Sequence, residues 1–416
     1  MGLSGAALAQ SVTPDADDLG FSISGQTTII AQRKLRFNAL YSGANSLSPL
    51  AENSHSFTAG VALQYRLPNQ LSFELHPEAA AGVPLSRLTG FGGFPNNELA
   101  RTSGPSLTIY RARAFVSKVW KQGDSEWKGT LGNMSVIDIF DQNAYSHDPR
   151  TQFLNWSLVT YGAFDYAADA RGYTWGAALS YRTPQYSVRA GRYLQPRQSN
   201  GLALNPRISD SFGDVVEIEK PYRLGSQQGK LRALLFHNQA VMGNFDEASA
   251  LGTKTAAIPD VGNVRRRQSK VGAGLALEHA VSDRVGLFMR MSAHDGKTES
   301  YAFTQIDRSL SAGALINGAG WARAQDNFGA AIAINGLSKA QQRYLGAGGL
   351  GFFIGDGKLN YATENIIEVF YSFGLPALIP KTSNALTLNF QHIQNPGYNR
   401  DRGPATIFGV RWHTEF

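Results

Sequence analysis

Apolar and polar side chains alternate along many short segments of this chain, most clearly at its C-terminal end. There, Phe408, Trp412 and Phe416 occupy positions of one parity, and Arg411 and Glu415 occupy positions of the other. Because successive side chains of a β-strand point to opposite faces, this pattern predicts a strand with one apolar and one charged face. A membrane-spanning barrel strand and an amphipathic strand of a soluble sandwich both fit it.

The same alternation recurs from residue 57 onward. Further candidate strands lie at 57–66, 71–76, 110–116, 173–182, 186–191, 270–278, 284–291, 328–334, 364–373 and 386–391. Within them, Leu63, Leu179 and Leu388 belong to apolar faces, whereas Gly60 and Ser180 belong to the opposite faces. This repetition predicts an all-β protein.

Two kinds of connection separate these candidate strands. The short ones are 68–70, 121–126, 184–185 and 282–283, and the long ones are about 79–106, 138–171, 244–268 and 337–363. Short turns on one rim and long loops on the other are typical of outer-membrane barrels, whereas several long structureless loops would be unusual in a compact soluble domain. We therefore predict a transmembrane antiparallel β-barrel.

The expected barrel has sixteen strands, because bacterial single-chain barrels have an even number. The segment 299–321 leaves this count open, since its Ala- and Gly-rich sequence hides the register. Residues 11–416 are predicted to form one barrel domain. Residues 1–10 are interpreted as the remnant of a secretory signal peptide, because Ala7 and Ala9 match its small-residue cleavage pattern. A flexible N-terminus of small residues is the alternative.

Composition agrees with a barrel. Hydrophobic residues make up 43% of the chain, mean hydropathy is −0.23, and no run reaches the roughly 18 apolar residues of a membrane helix. The net charge of +7 raises nucleic-acid binding as a possibility, but the arginines are spread along strands. We therefore predict lipid, and not nucleic acid, as a partner.

Catalytic and metal-binding patterns are missing from the sequence. The eight histidines do not form a zinc-protease pattern, the chain has no cysteine, and no nucleophile elbow is present. The Gly-rich stretch 348–357 is interpreted as a loop. We predict neither an enzyme nor a protein with a cofactor or a bound metal.

The block 137–176 is unusually rich in Asp, Asn, Arg and aromatic residues. It predicts a loop that folds into the barrel, with an exposed surface loop as the alternative. Its candidate lumen or substrate-binding residues are Asp141, Asp148, Arg150 and Trp156. Its aspartates are candidates to pair with arginines of the barrel wall.

Several long motifs give the chain a recognisable family character. They are FDQNAYSHDPRTQFLNWSL at 140–158, AFDYAADARGYTWGAAL at 163–179, GDVVEIEKPYRLG at 213–225, and the segments 345–373 and 393–416. Together they resemble the carbohydrate-selective porins of the OprB type, over most of the chain from about residue 57. The resemblance implies a sixteen-stranded outer-membrane barrel of a Gram-negative bacterium. It would admit glucose and related sugars by diffusion, past a constriction of inward loops and charged side chains.

Strand parity selects five charged residues as candidates for the lumen: Glu74, Arg111, Arg113, Arg189 and Glu368. Each is the charged member of a strand whose other face is apolar, and a charge on the lipid side would be costly. They either line the path of the solute or hold the inward loop in place.

Several alternatives remain open at this point. A less selective pore, a preference for anionic sugars or sugar acids, and a larger sugar as the substrate are all compatible with the sequence. A monomer and a homotrimer are equally compatible with it. An outer-membrane lipase or acyltransferase would need a catalytic nucleophile set, and we find none in the sequence. A gated transporter would need a plug domain, and we find none. Bilayer conductance would distinguish a pore from a closed structural barrel.

Overall fold

The computed structural model describes residues 19–102, 104–303 and 305–416. These residues contain sixteen β-strands. The strands are β1 (Gly20–Lys34), β2 (Glu52–Arg66), β3 (Leu71–Val83), β4 (Thr108–Gln122), β5 (Ser125–Met134), β6 (Thr174–Arg182), β7 (Ser187–Leu194), β8 (Phe212–Leu224), β9 (Gln227–Met242), β10 (Arg266–Ala280), β11 (Val285–His294), β12 (Arg308–Asn317), β13 (Asn327–Gly336), β14 (Glu364–Leu375), β15 (Ser383–Gln394) and β16 (Ala405–Glu415).

All neighbouring strands are antiparallel, and the sheet closes where β1 pairs with β16, from Gln26 opposite Glu415 to Lys34 opposite Ile407. The predicted sixteen-stranded barrel is therefore confirmed. The ambiguous segment 299–321 contains β12, which completes the even count.

The two faces of the sheet follow the predicted parity at most positions. Leu179 and Leu388 point outward and are 47% and 49% exposed. Ser180, next to Leu179, pairs with Lys128 on the inner face. An apolar outer wall suits contact with lipid. Closure of the sheet pairs the backbone groups of its edge strands, so none of them is left unpaired in hydrocarbon.

The connections differ between the two rims. One rim carries the long loops 35–51, 84–107, 135–173, 195–211, 243–265, 295–307, 337–363 and 395–404. The other carries the shorter connections 67–70, 123–124, 183–186, 225–226, 281–284, 318–326 and 376–382. By the usual orientation of such barrels, the long-loop rim faces the cell exterior.

Three α-helices occur within the long loops: α1 (Trp156–Val159), α2 (Phe245–Thr255) and α3 (Lys339–Gly346). Asn155 caps α1 and Asn244 caps α2 through their side-chain oxygens. In the described part of the chain, no helix combines the length and the apolar character needed to cross a membrane. The predicted signal-peptide remnant, residues 1–10, lies outside the described residues.

The loop 135–173 folds into the barrel, as predicted, and we call it the inward loop. Trp156, Phe164 and Tyr166 are buried there in one apolar cluster, with the ring of Trp156 stacked on that of Tyr166 at 6.0 Å between centroids. The loop 84–107 accompanies it, since Asn97 N donates to Leu154 O at 3.0 Å. The lumen is therefore narrowed by two loops.

Candidate functional site

The inward loop is held to the barrel wall by buried side chains of the later strands. Glu368 on β14 is fully buried, and its two carboxylate oxygens accept from Leu154 N at 2.6 Å and Asn155 N at 2.9 Å. Arg411 on β16 donates to the carbonyl oxygens of Pro149 and Gln152 at 2.8 and 2.7 Å. These contacts satisfy loop backbone groups that would otherwise be buried without partners.

A second set of anchors surrounds Asp141. Arg290 Nε on β11 donates to Asp141 Oδ1 at 2.8 Å, and Asp141 N donates to Glu217 Oε2 at 2.9 Å. Arg189 Nη1 donates to the other oxygen of Glu217 at 2.7 Å. Burial raises the pKa of the Asp141 carboxyl, and the Arg290 guanidinium opposes that rise. Arg189 therefore acts on the inward loop through Glu217.

Two further aspartates of the inward loop, Asp165 and Asp148, have different roles. Asp165 pairs with Lys270 Nζ on β10 at 2.8 Å. Asp148 accepts from Arg150 N at 2.9 Å and from Thr151 Oγ1 at 3.2 Å, so it stabilises a turn within the loop. Asp148 therefore shapes the loop and pairs with no wall arginine.

Some charged side chains that face inward from β3 to β7 stay partly exposed, and we call this part of the wall the open side of the lumen. The side chains of Glu217, Arg290 and Glu368 on the later strands are almost fully buried. By contrast, Arg113 on β4 and Arg189 on β7 keep 20% and 17% of their side chains exposed. Both arginines are therefore accessible to a solute inside the barrel.

Arginines and carboxylates meet where the inward loop and the loop 84–107 approach this open side. Arg150 donates from Nη2 to Glu78 and from Nε to Glu98, each at 2.9 Å. Arg101 Nε lies 3.4 Å from Glu98 Oε1. Residues of two loops and of β3 are thus joined in one charged network, in which the carboxylates are buried and the arginines keep some exposure.

Two tyrosines complete this network. Arg101 donates to the Tyr173 hydroxyl at 3.0 Å, and the Arg113 guanidinium lies 5.3 Å from the centre of the Tyr173 ring. The rings of Tyr110 and Tyr173 are 6.1 Å apart, and Tyr110 donates to Glu78. We call the whole set the constriction cluster; its members are Glu78, Glu98, Arg101, Tyr110, Arg113, Arg150 and Tyr173.

Arg113 connects the constriction cluster to the base of the inward loop. Its guanidinium makes two hydrogen bonds to Asp138, at 2.5 and 2.7 Å. Burial alone would raise the pKa of the Asp138 carboxyl, but Arg113 and the N–H of Ser135 outweigh it and hold that pKa below its usual range. The pair therefore anchors the inward loop, and Arg113 keeps part of its side chain exposed on the open side of the lumen.

Glu74 on β3 lies on the inner face of the barrel wall. It accepts from Gln64 Nε2 at 2.9 Å and lies 3.1 Å from His76 Nε2. Its side chain remains 12% exposed. Glu74 therefore belongs to the open wall.

The prediction that Arg111 lines the lumen is wrong. The register between β3 and β4 shifts at His76 and Pro77, leaving Ala112 as an extra residue in β4. This bulge turns Arg111 outward, where it is exposed and lies 5.1 Å from the centre of the Trp175 ring. A bulge changes the parity of the residues before it, so strict alternation assigned Arg111 to the wrong face.

The structure brings only some of the predicted site residues together. Arg113 and Arg150 meet in the constriction cluster, whereas Trp156 is 1% exposed and lies in the loop core. Sequence reasoning missed five members of the cluster: Glu78, Glu98, Arg101, Tyr110 and Tyr173. A usable signal was the acid–base spacing of Glu98 and Arg101, which are three residues apart on a short helical turn.

Comparisons with known proteins agree with this architecture. The model of the family described as "Carbohydrate-selective porin, OprB family" matches residues 47–416. The structure of Pseudomonas putida OprB at high pH is similar, with a TM-score of 0.73, 16% identity, and 95% of this chain and 94% of that chain covered. The Acinetobacter baumannii outer-membrane channel DcaP is similar at a TM-score of 0.53 and 9% identity, with 95% and 97% covered. No protein of curated function matches.

Proposed function

We propose that this chain, which belongs to the carbohydrate-selective porin (OprB) family, lets glucose and related neutral sugars diffuse through its barrel past the constriction cluster. Its family and fold are those of a channel of the Gram-negative outer membrane. The observation that carries the proposal is the meeting of arginine donors, carboxylate acceptors and tyrosine rings on the open side of the lumen.

This combination matches the chemistry of a sugar. Hydroxyl groups both donate and accept hydrogen bonds, so they can use the fork of an arginine and the oxygen of a carboxylate in turn. The apolar face of a sugar ring can lie against Tyr110, which is partly exposed, whereas Tyr173 is buried beneath the arginines of the cluster. Binding has to remain weak, because a solute must leave the constriction as readily as it enters.

The pairing of charges favours a neutral solute over an anionic one. Arg101 and Arg150 lie against Glu78 and Glu98, and Arg113 lies against Asp138. An anion would have to compete with carboxylates that already occupy these guanidinium groups. A preference for sugar acids, or a pore without selectivity, is therefore the less supported alternative.

Planar-bilayer recordings test the proposal. Glucose added to one side should reduce the ion current through single channels, and glucuronate at equal concentration should reduce it no more. Tyr110→Leu should weaken the block by glucose, since it removes a partly exposed ring and a hydroxyl from the constriction. Tyr222→Leu is the matched control, because Tyr222 stacks on His279 on the outer wall. No current block by any sugar would contradict the proposed function.

A further inference from the structure

Five arginines face outward close to the long-loop rim, as judged from strand parity and exposure: Arg33, Arg111, Arg192, Arg267 and Arg308. Two of them have acidic partners. Arg192 lies 2.6 Å from Asp214, and Arg267 lies 3.1 Å from Asp210.

The other three have neutral partners. Arg33 donates to Asn53 Oδ1 at 3.2 Å, Arg308 donates to the Tyr361 hydroxyl at 3.3 Å, and Arg111 lies over Trp175. Across residues 19–102, 104–303 and 305–416, no carboxylate forms an ion pair with any of the three. They differ in this from the arginines of the constriction cluster, which are all paired with carboxylates inside the barrel.

Arg111 is the clearest example of an arginine placed on the outer wall. Its neighbours on the outer wall are apolar, with Ile109 75% and Trp175 42% exposed. Strict alternation would have placed Arg111 inside, and the bulge at Ala112 turns it to the lipid side. A charge there is tolerated near the membrane interface, where tryptophan is also favoured, and much less at the membrane centre.

We propose that Arg33, Arg111 and Arg308 bind phosphate groups of the lipid headgroups that surround the long-loop rim. The guanidinium fork matches a phosphate in shape as well as in charge. An exposed arginine without an acidic partner can therefore donate hydrogen bonds to a phosphate and pair with its charge. A lipid phosphate would supply the anion that the chain itself does not provide. The three sites lie on β1, β4 and β12, so they hold separate lipid molecules around the wall.

Lipid retention in detergent tests this proposal. Native mass spectrometry would count molecules of bis-phosphorylated lipid A and of dephosphorylated lipid A that stay on the purified channel. The wild type should retain the phosphorylated form preferentially, and rising salt should release it. The triple variant Arg33→Gln, Arg111→Gln and Arg308→Gln should bind it about tenfold more weakly.

The variant Lys118→Gln with Lys220→Gln is the matched control. Both lysines face outward at the short-turn rim, so their removal should leave retention unchanged. Equal loss in this control would mean nonspecific charge attraction and would overturn the assignment. Equal retention of both lipids by the wild type would overturn it without reference to any variant.

Two further measurements complete the test. Millimolar inorganic phosphate should not displace the lipid; if it does so fully, the sites are for free anions and the lipid assignment is wrong. The triple variant should keep the conductance and glucose block of the wild type, which shows that it is folded. Failure of lipid retention alone leaves the proposed sugar passage untouched, because the sites lie outside the lumen.

Discussion

Glu368 on β14 and Leu154 in the inward loop are joined by a 2.6 Å hydrogen bond across 214 positions of sequence. The other carboxylate oxygen of Glu368 accepts from Asn155 N, so one buried side chain holds two consecutive amides of the loop. The rigidity of the constriction therefore depends on acceptors that belong to the barrel wall.

Glu368→Gln should loosen this anchor. The amide side chain offers one acceptor oxygen in place of two, which leaves a buried N–H unsatisfied at a cost of about 1–3 kcal/mol. We expect lower stability to denaturant in detergent and a noisier single-channel current. Glu126→Gln is the control, because among the described residues the Glu126 side chain has a single ion pair, with the exposed Arg182 at 3.4 Å; equal effects in both variants would refute the anchoring role.

Arg113→Ala should weaken glucose block about two- to tenfold, as expected for the loss of a hydrogen-bonding group worth about 0.5–1.5 kcal/mol. It should also shift ion preference toward cations, because Asp138 would lose its partner. Arg111→Ala, two residues away but on the outer wall, should change neither property. If Arg113 only pins the loop, conductance would instead rise and fluctuate for all solutes alike.

Leu179→Arg should destabilise the barrel by roughly 2–4 kcal/mol if the residue lies near the membrane midplane. Ser180→Arg should be much milder, since the neighbouring side chain points to the wet inner face. Leu63→Arg and Leu388→Arg should behave like Leu179→Arg, and Gly60→Arg like Ser180→Arg. Unfolding in lipid vesicles measures the difference, and equal losses would mean that the facing assignment is wrong.

Acid should release the Arg113–Asp138 pair. The folded-state pKa of Asp138 lies below its ordinary value, so its stabilisation is complete above the unfolded pKa, about 4, and is lost as pH falls through the folded pKa. Glucose block and current noise should therefore change below about pH 4. Asp138→Asn should show the altered behaviour already at neutral pH, and a variant that keeps the wild-type block and current noise there would contradict this role.

Much of the barrel follows from local pattern. Alternation and the contrast between short and long connections predicted the closed sheet, because strand parity and lipid contact act residue by residue. The facing of Arg111 did not follow, since a one-residue bulge is decided by how β3 and β4 pair. The helices within the long loops were also missed, because packing between loops stabilises them more than their own sequence does.

The constriction cluster was harder to predict for a different reason. Its members come from two loops and from β3, β4 and the residue before β6, and no spacing along the chain relates Glu78 to Arg150. Asp141 and Glu368 were selected by composition and parity, yet Asp141 is buried within the inward loop and Glu368 is buried beneath it. Parity identifies which side chains face inward, but it cannot tell which of them a folded loop will cover.

The seam between β1 and β16 has a consequence for assembly. Thr28 and His413 face each other there at 2.8 Å, although 385 positions separate them, so this ladder joins the two parts of the sheet that are most distant in sequence. Loop closure on this scale is slow, because its entropy cost comes before the ladder hydrogen bonds that stabilise the closed sheet. Until then, the edges of β1 and β16 would present unpaired backbone groups, which hydrocarbon does not tolerate. Membrane insertion and closure of this seam must therefore be coupled, and damage to either strand should trap the chain as an aggregation-prone open sheet.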